Sequence, residues 1–418
     1  MRLPEEFIRE TRAVMGSERF DRYLGAFSEE APVSIRLNPR FRSRDGQHGV
    51  KSGLTVCPPS TEVPWCAEGY YLEGRRQFTF DPFFHAGCYY VQEAASMFVG
   101  HVLRHLVSEP VAMLDLCAAP GGKSTAAIAA LPTGSTLVSN EPNPTRAQIL
   151  LENITKWGWP GCTVTNNYPR DLRKAKLKFD VILCDVPCSG EGMFRKDPQT
   201  ISEWSRQNVE KCWRLQREIV ADAWECLQPG GLLIYSTCTF NTKENEENVR
   251  WMIEEYDAEP LTIPTESSWG ITGSLLPGFD APVYRFIPGI TRSEGLFVCA
   301  LRKRGERTSY RGERLEVRGK RNDLQHIKGL TILSPINYQL SPLSVALPYP
   351  EALRYLRGEA LLLPPDTPRG IVTVTYKGFP LGPAKNIGNR ANNLYPKPWR
   401  IKTTHLPADP VEIIKFEN

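Results

Sequence analysis

Long apolar runs are missing from this chain. Nothing in its 418 residues approaches the ~18 consecutive apolar residues of a membrane-spanning helix. Met1–Glu6 carries charge with no apolar segment behind it, so no secretory leader is expected either. A disulfide framework is also lacking. The eleven cysteines are odd in number and fall at no framework spacing, which predicts reduced thiols in a cytoplasmic protein. Metal-ligand patterns are sparse. His101 and His105 are four apart, but no zinc-protease glutamate lies between them and no third ligand is evident, so no metal site is expected. Neither G-x-x-x-x-G-K-[ST] nor G-x-G-x-x-G occurs, which excludes a phosphate-binding P-loop and argues against a dinucleotide oxidoreductase. Net charge is scarce too, at +4, but it is unevenly placed: Arg302–Arg321 holds nine Lys/Arg against three Glu. That stretch reads as a solvated linker and, compatibly, as a segment that meets phosphates.

What is present is an ordinary globular composition, 41% hydrophobic and 23% charged, in a length that suits several domains. Strands alternate with helices from Met113 to Arg302. This predicts an α/β fold with a doubly wound, Rossmann-like parallel sheet. Residues 1–74 form a small α/β module, with short helices between Pro4 and Phe27 and a half-buried strand over Val33–Pro39. Arg36 and Asn38 share that strand's polar face, which is expected to be solvated or to contact nucleic acid. Val91–Met97 opens an amphipathic helix that continues through His105. The sheet domain spans 75–303, a basic linker 304–328, and a separate proline-rich β unit 329–418. In that unit Ile371–Tyr376 is a strand and Gly378–Gly382 a tight connection. Lys385–Arg400 is basic and rich in amides and carries Tyr395 and Trp399; it reads equally as a solvated β-loop and as a segment whose stacking and phosphate-binding residue types suit RNA.

Two buried strands, Val181–Cys184 and Leu232–Tyr235, stop at small polar residues and a thiol. Their carboxyl ends carry Asp185, Pro187, Cys188 and Cys238, and ligands bind at such ends in open α/β sheets. The turn from Cys117 through Ala118, Ala119, Pro120, Gly121 and Gly122 to Lys123 is made of small residues and enters a helix at Ser124. It lets a ligand approach the backbone closely. Glu141 ends the next strand about 20 residues beyond the glycines, where a carboxylate accepts hydrogen bonds from a ribose. A nucleoside-bearing cofactor is therefore expected. Asn166-Asn167-Tyr168, at the end of a third strand over Cys162–Asn167, is placed to meet an adenine. Phe194, Arg195 and Lys196 follow Cys188 and are candidates to hold a nucleotide taken out of its stack. Trp204 and Trp213 read as helix-packing residues, and Cys299 as core.

Several of these segments, in this order, resemble the Sun/Fmu family of RNA cytosine-5 methyltransferases. They are VQEAASM (Val91–Met97), LDLCAAPGGKST (Leu114–Thr125), Glu141, DVPCSGEGMFRKD (Asp185–Asp197), IYSTCTF (Ile234–Phe240) and NTKENEENV (Asn241–Val249). The nearest likeness is to the bacterial branch acting on 16S ribosomal RNA, whose C-terminal domain is PUA-like. The resemblance implies S-adenosylmethionine as cofactor, held by Cys117–Lys123, Glu141, Arg146, Asn167, Asp185 and Pro187. It implies Cys238 as the nucleophile, Cys188 as the group that helps release the product, and Asp185 between cofactor and target base. The family's usual third-strand aspartate is absent: Asn167 and Tyr168 stand there, so the adenine amino group would have the Asn167 carbonyl as its acceptor. The implied partners are ribosomal RNA and the small ribosomal subunit, met by a monomer with no membrane.

The chemistry asks for such residues. Cytosine C5 is too weak a nucleophile to take a methyl group from a sulfonium unaided. A thiolate adding at C6 activates it, a hydrogen bond at N3 supports the addition, and a second group must then help the C5 proton leave. A free thiol titrates near ~8.5, so Cys238 needs activation, and Lys123 is the candidate source of positive potential. Transfer RNA as substrate, or a non-catalytic RNA-binding assembly factor on this fold, are the alternatives. Cys238, Cys188 and Lys123 together argue against the second.

Overall fold

Buried strands alternate with helices through the middle of the chain, and the fold gathers those strands into one mixed sheet. The computed structural model describes residues 3–41, 53–306, 329–333 and 340–416. From residue 307 onward the basic linker lies outside the described residues.

Helices α1 (Glu5–Met15) and α2 (Ser17–Gly25) come first, then β1 (Val33–Leu37), β2 (Leu54–Val56), β3 (Ser60–Val63) and β4 (Cys66–Leu72). Short helix α3 (Pro82–His85) leads to β5 (Tyr89–Val91). The order β3-β4-β1-β5 makes an antiparallel sheet, so the expected border at 74/75 would cut the module: its last strand lies beyond it. The helix expected from Val91 starts later. Val91 ends a strand, Ala95–Met97 is a single 3₁₀ turn, and α4 runs Phe98–Leu106.

The central sheet follows: β6 (Ala112–Asp115), α5 (Gly122–Ala130), β7 (Thr136–Asn140), α6 (Pro144–Trp157), β8 (Cys162–Thr165), α7 (Pro169–Lys174) and β9 (Phe179–Asp185). After α8 (Gln199–Glu203) and the long α9 (Arg206–Cys226) come β10 (Leu227–Thr237), α10 (Glu246–Tyr256), β11 (Glu259–Pro260), β12 (Tyr284–Phe286), β13 (Leu296–Arg302) and β14 (Ile332–Leu333). The strand order is β11-β13-β10-β9-β6-β7-β8-β14, with β12 also on β13. Strands β10, β9, β6, β7 and β8 are mutually parallel and the outer ones antiparallel. The connection changes side between β6 and β9, so a crevice opens at their carboxyl ends. Because β14 pairs with β8, residues 332–333 belong to this sheet and not to the tail unit in which they were expected.

The tail has β15 (Ser344–Ala346), α11 (Tyr349–Arg357), β16 (Gly370–Tyr376), β17 (Phe379–Asn386), β18 (Ala391–Asn393) and β19 (Ile414–Phe416). Helix α11 was not foreseen. The connection expected over Gly378–Gly382 is shorter: Lys377-Gly378 makes the turn, and β17 starts at Phe379. Tail and N-terminal module share one core. Ile35 and Leu37 are buried in the same apolar cluster as Leu353, Val374 and Leu381, and β19 pairs with β2.

Tertiary packing overturns two expectations about exposed polar faces. Arg36 and Asn38 are 1% and 2% exposed. Arg36 donates to Gln92 Oε1 (2.8 Å) and Thr125 Oγ1 (2.6 Å) and lies over the Trp157 ring, while Asn38 caps the carbonyls of Gly87 and Trp157. Tyr395 and Trp399 are core residues of the tail, not stacking platforms for RNA.

Candidate active site

Most of the chemically promising residues lie at the carboxyl edge of β6, β7, β9 or β10. In the parallel pair β9/β10, Asp185 sits beside Ser236, and Ser236 Oγ donates to Asp185 Oδ1 at 2.7 Å. The other carboxylate oxygen accepts from Lys123 Nζ at 2.8 Å. Lys123 opens α5, directly after the small-residue turn. Burial works against its charge, but the Asp185 carboxylate and nearby anionic groups, Cys238 among them, together push its pKa up. It is a cation at any physiological pH.

The chain leaves both strands and brings two thiols together. Cys188 Sγ and Cys238 Sγ are 3.2 Å apart, in hydrogen-bond contact. Cys188 is held as the neutral thiol: the hydrogen bond to Cys238 and burial both raise its pKa, and the Glu244 carboxylate adds to this. Lys123 and Cys238 line the same cleft and interact electrostatically.

Two buried glutamates tie the cysteine loops to each other. Glu191, just past Cys188, accepts from the backbone N–H groups of Phe240 and Asn241, just past Cys238, and from Trp204 Nε1. Glu244 accepts from Ser189 N, Gln216 Nε2 and Asn241 Nδ2. Burial first, then the Glu191 charge, pushes the Glu244 carboxyl up to about 7. Arg285 holds Glu246 in a fully buried pair and donates to Phe240 O at 2.9 Å, which fixes the far side of the Cys238 loop. None of Glu191, Glu244 and Arg285 was singled out in the sequence. The available signal was a run of polar residues directly after a buried strand.

Small residues let three loops converge here. A Cβ on Gly192 would stand 2.7 Å from Cys238 O and 2.8 Å from Gly295 Cα. Gly121 has φ +110°, a left-handed conformation that suits glycine, and it starts α5.

The cofactor-side residues are also assembled. Glu141 is 2% exposed. One carboxylate oxygen accepts from Asn143 N, and the other has no hydrogen-bond partner, with Arg146 only 3.5 Å away. Arg146 donates to Ala119 O, while Pro120 O is held by Asn153 and Tyr90. Asp115, at the end of β6, accepts from Ser124 Oγ, and its second oxygen is unpartnered. Burial pushes its carboxyl up to about 7. A cleft of about 390 Å³ joins these parts, lined by Cys117, Lys123, Arg146, Asp185, Cys188 and Cys238 among others.

Three expected residues are engaged elsewhere. Asn167 Oδ1, the anticipated adenine acceptor, takes the N–H of Thr331, and its Nδ2 donates to Thr331 O. Phe194 is 1% exposed and packs edge-on against Phe7, so it is no stacking platform. Arg195 is paired with Glu294 and also donates to Ala26 O. Lys196 is exposed at the cleft. Trp204 and Cys299 are packed in the interior as expected. Among the described residues no cluster of side chains could hold a metal ion, and no helix is long and apolar enough to cross a membrane.

Known proteins share this organisation. Residues 105–302 match the family described as 16S rRNA methyltransferase RsmB/F. Residues 3–94 match the N-terminal domain of 16S rRNA methyltransferase RsmF, and 342–401 match the methyltransferase RsmF PUA domain. Ribosomal RNA small subunit methyltransferase F of Enterobacter sp. (strain 638) is 30% identical over 97% of this chain and 98% of its own length. The protein of the same description from Pectobacterium atrosepticum is 34% identical over 72% of this chain and 63% of its own. Among solved structures, NSun6 from Pyrococcus horikoshii with SFG superposes with a TM-score of 0.58 at 21% identity, covering 72% of this chain and 99% of that one. A methyltransferase homolog protein from the same organism gives 0.57 at 24% identity, covering 72% and 95%. The two solved structures share the fold.

Proposed function

The chain belongs to the ribosomal RNA small subunit methyltransferase F family, and from that premise we propose that it methylates C5 of a cytosine in 16S ribosomal RNA through a covalent Cys238 adduct. The observation that carries the mechanism is the pair of sulfurs 3.2 Å apart, in one cleft with the Lys123–Asp185 pair.

S-adenosylmethionine fits the site, and when bound it supplies an electrophilic methyl group. The unpartnered oxygen of Glu141 is a ready acceptor for ribose hydroxyls, and the Cys117–Lys123 turn offers a backbone that a ligand can approach closely. The Asn167 side-chain oxygen is taken by the N–H of Thr331, so it is not the acceptor for the adenine amino group.

On the substrate side, Cys238 adds to C6 as the thiolate, favoured by the Lys123 cation. N3 must take up a proton as the thiolate adds at C6; Asp185, aligned by Lys123 and Ser236, delivers that proton, accepts the N3–H hydrogen bond as the carboxylate in the adduct, and takes the proton back on elimination. The C5 proton must leave after methylation, and the Cys238–C6 bond must then break to return the ring's electrons. Cys188, beside Cys238 and held as a neutral thiol, passes its own proton to the departing Cys238 sulfur while its sulfur takes the C5 proton, so both cysteines end as thiols as the C5–C6 double bond reforms. A Cys238 thiolate hydrogen-bonded by Cys188 is also the better leaving group.

The test uses labelled S-adenosylmethionine with 16S RNA or transfer RNA, and RNA containing 5-fluorocytosine to arrest elimination. Wild type should label the ribosomal RNA and form a trapped adduct. Cys238→Ala should form none, and Cys188→Ala should still form it. Trapping by Cys238→Ala but not by Cys188→Ala would reverse the roles. No label in either RNA despite cofactor binding would refute the enzymatic reading.

A further inference from the structure

Three hollows share walls on this molecule. The active cleft shares Glu93 and Lys196 with a groove of about 700 Å³ that runs past Pro32–Ser34 and Gly74-Arg75. That groove shares Arg75 and Val91 with a third, of about 880 Å³, between residues 75–80 and residues 399–403 of the tail. A continuous path therefore leads from the sulfurs to the seam between N-terminal module and tail.

The path is basic where it matters. Lys196, Arg75, Arg76 and Lys402 are exposed, and none has an ion-pair partner among the described residues. The carboxylates along it are largely spent: Glu294 on Arg195, Glu152 on Lys156, and Glu93 on backbone N–H groups of Ala95, Ser96 and Glu294. Glu30, at the rim, is the exception. The third groove also has an apolar floor, with Phe80 and Phe84 half-buried in it. Cations along a channel with aromatic faces beneath are what a single nucleic-acid strand asks for, phosphates on the former and bases on the latter.

We propose that this path carries the RNA strand flanking the target cytosine, with Arg75, Arg76 and Lys402 on its phosphates and Phe80 and Phe84 under its bases. The proposal rests on the RNA methyltransferase reading above. It moves the tail's contribution from Tyr395 and Trp399, which are buried, to the edge at residues 400–403. It also gives the shared core of module and tail a purpose, because both walls of the third groove must keep their spacing.

The full-length protein is compared with Arg75→Glu/Arg76→Glu and with Lys402→Glu. Each is measured for binding to naked 16S RNA across a salt series and for methyl transfer. Cofactor affinity reports that the variants are folded. The log–log salt slope of binding should fall by roughly 0.7 for each single-strand phosphate contact removed. For the double variant KM for RNA should rise about tenfold or more, while kcat stays within about twofold, as expected for lost positioning contacts. Unchanged slope and KM in folded variants would overturn the path. So would losses seen only with assembled subunits and not with naked RNA, since the groove would then face protein. Binding is read without methylation, so a wild type that binds RNA but transfers no methyl group counts against the enzymatic reading alone.

Discussion

Replacing Glu141 by Gln separates cofactor recognition from folding. In the protein one Glu141 oxygen is satisfied by Asn143 N–H and the other is buried without a hydrogen-bond partner. A ribose hydroxyl donating to that oxygen would make a charge-assisted bond, worth about 1.5–3 kcal/mol. The amide of Gln keeps the oxygen that faces Asn143 but puts an NH₂ where the ribose needs an acceptor. The loss of that bond corresponds to about a 10- to 150-fold weaker S-adenosylmethionine complex. The apo protein exchanges one unpartnered buried group for another, and the nearby Arg146 is 53% exposed, so its pairing contributes little. Stability should therefore change by no more than about 1 kcal/mol. Isothermal titration with the cofactor, alongside denaturant unfolding, measures both quantities. A folded variant whose affinity falls less than about threefold would refute ribose binding at Glu141.

Two further perturbations probe the frame of the site. Gly192→Ala would push on Cys238 O and Gly295, so kcat should fall about 100-fold or more while cofactor affinity is kept; wild-type turnover would show that the loops can give way. His85 is buried between Tyr395 OH and Thr79 O, and burial first, then the Lys156 charge, lowers its pKa to about 3. A base with a depressed folded pKa gives stability that is present above the unfolded value, near 6.5, and is lost as pH falls toward the folded one. Stability should therefore decline by about 1.4 kcal/mol per pH unit below 6.5. His85→Gln should remove that part of the slope in unfolding titrations between pH 7.5 and 5, and an identical slope would count against it.

The sheet, and the edge at which the candidate residues gather, could be read from the chain because the signals there are local. Val181–Cys184 and Leu232–Tyr235 are continuous apolar runs that end abruptly, and such runs form buried parallel strands wherever they are placed. Alternation in Val33–Leu37 was equally plain, yet it misassigned Arg36. The groups that bury Arg36, Thr125 and Trp157, lie far along the sequence, and no periodicity in a strand announces them. Phe194, Tyr395 and Trp399 failed for the same reason. An aromatic next to basic residues suits RNA and suits a core equally well, and tertiary packing decides. The support at Glu244 was hidden in an acidic, amide-rich stretch that looks solvated, and that at Glu191 in a short glycine-flanked loop, until the two loops fold together.

The pairing of β19 with β2 sets an order of events during synthesis. Thr55 meets Lys415, about 360 residues later in the chain. At 5–20 residues per second the ribosome needs roughly 20–70 s to cover that interval. Until Leu353, Val374 and Leu381 are made, late in that interval, the apolar face that Ile35 and Leu37 present to the tail stays uncovered. The central sheet, all of whose parallel strands lie between these ends, has time to form first. The edge that gathers the candidate site can thus be assembled well before the surroundings built by module and tail close, and a nascent chain in that interval is a natural client for a chaperone.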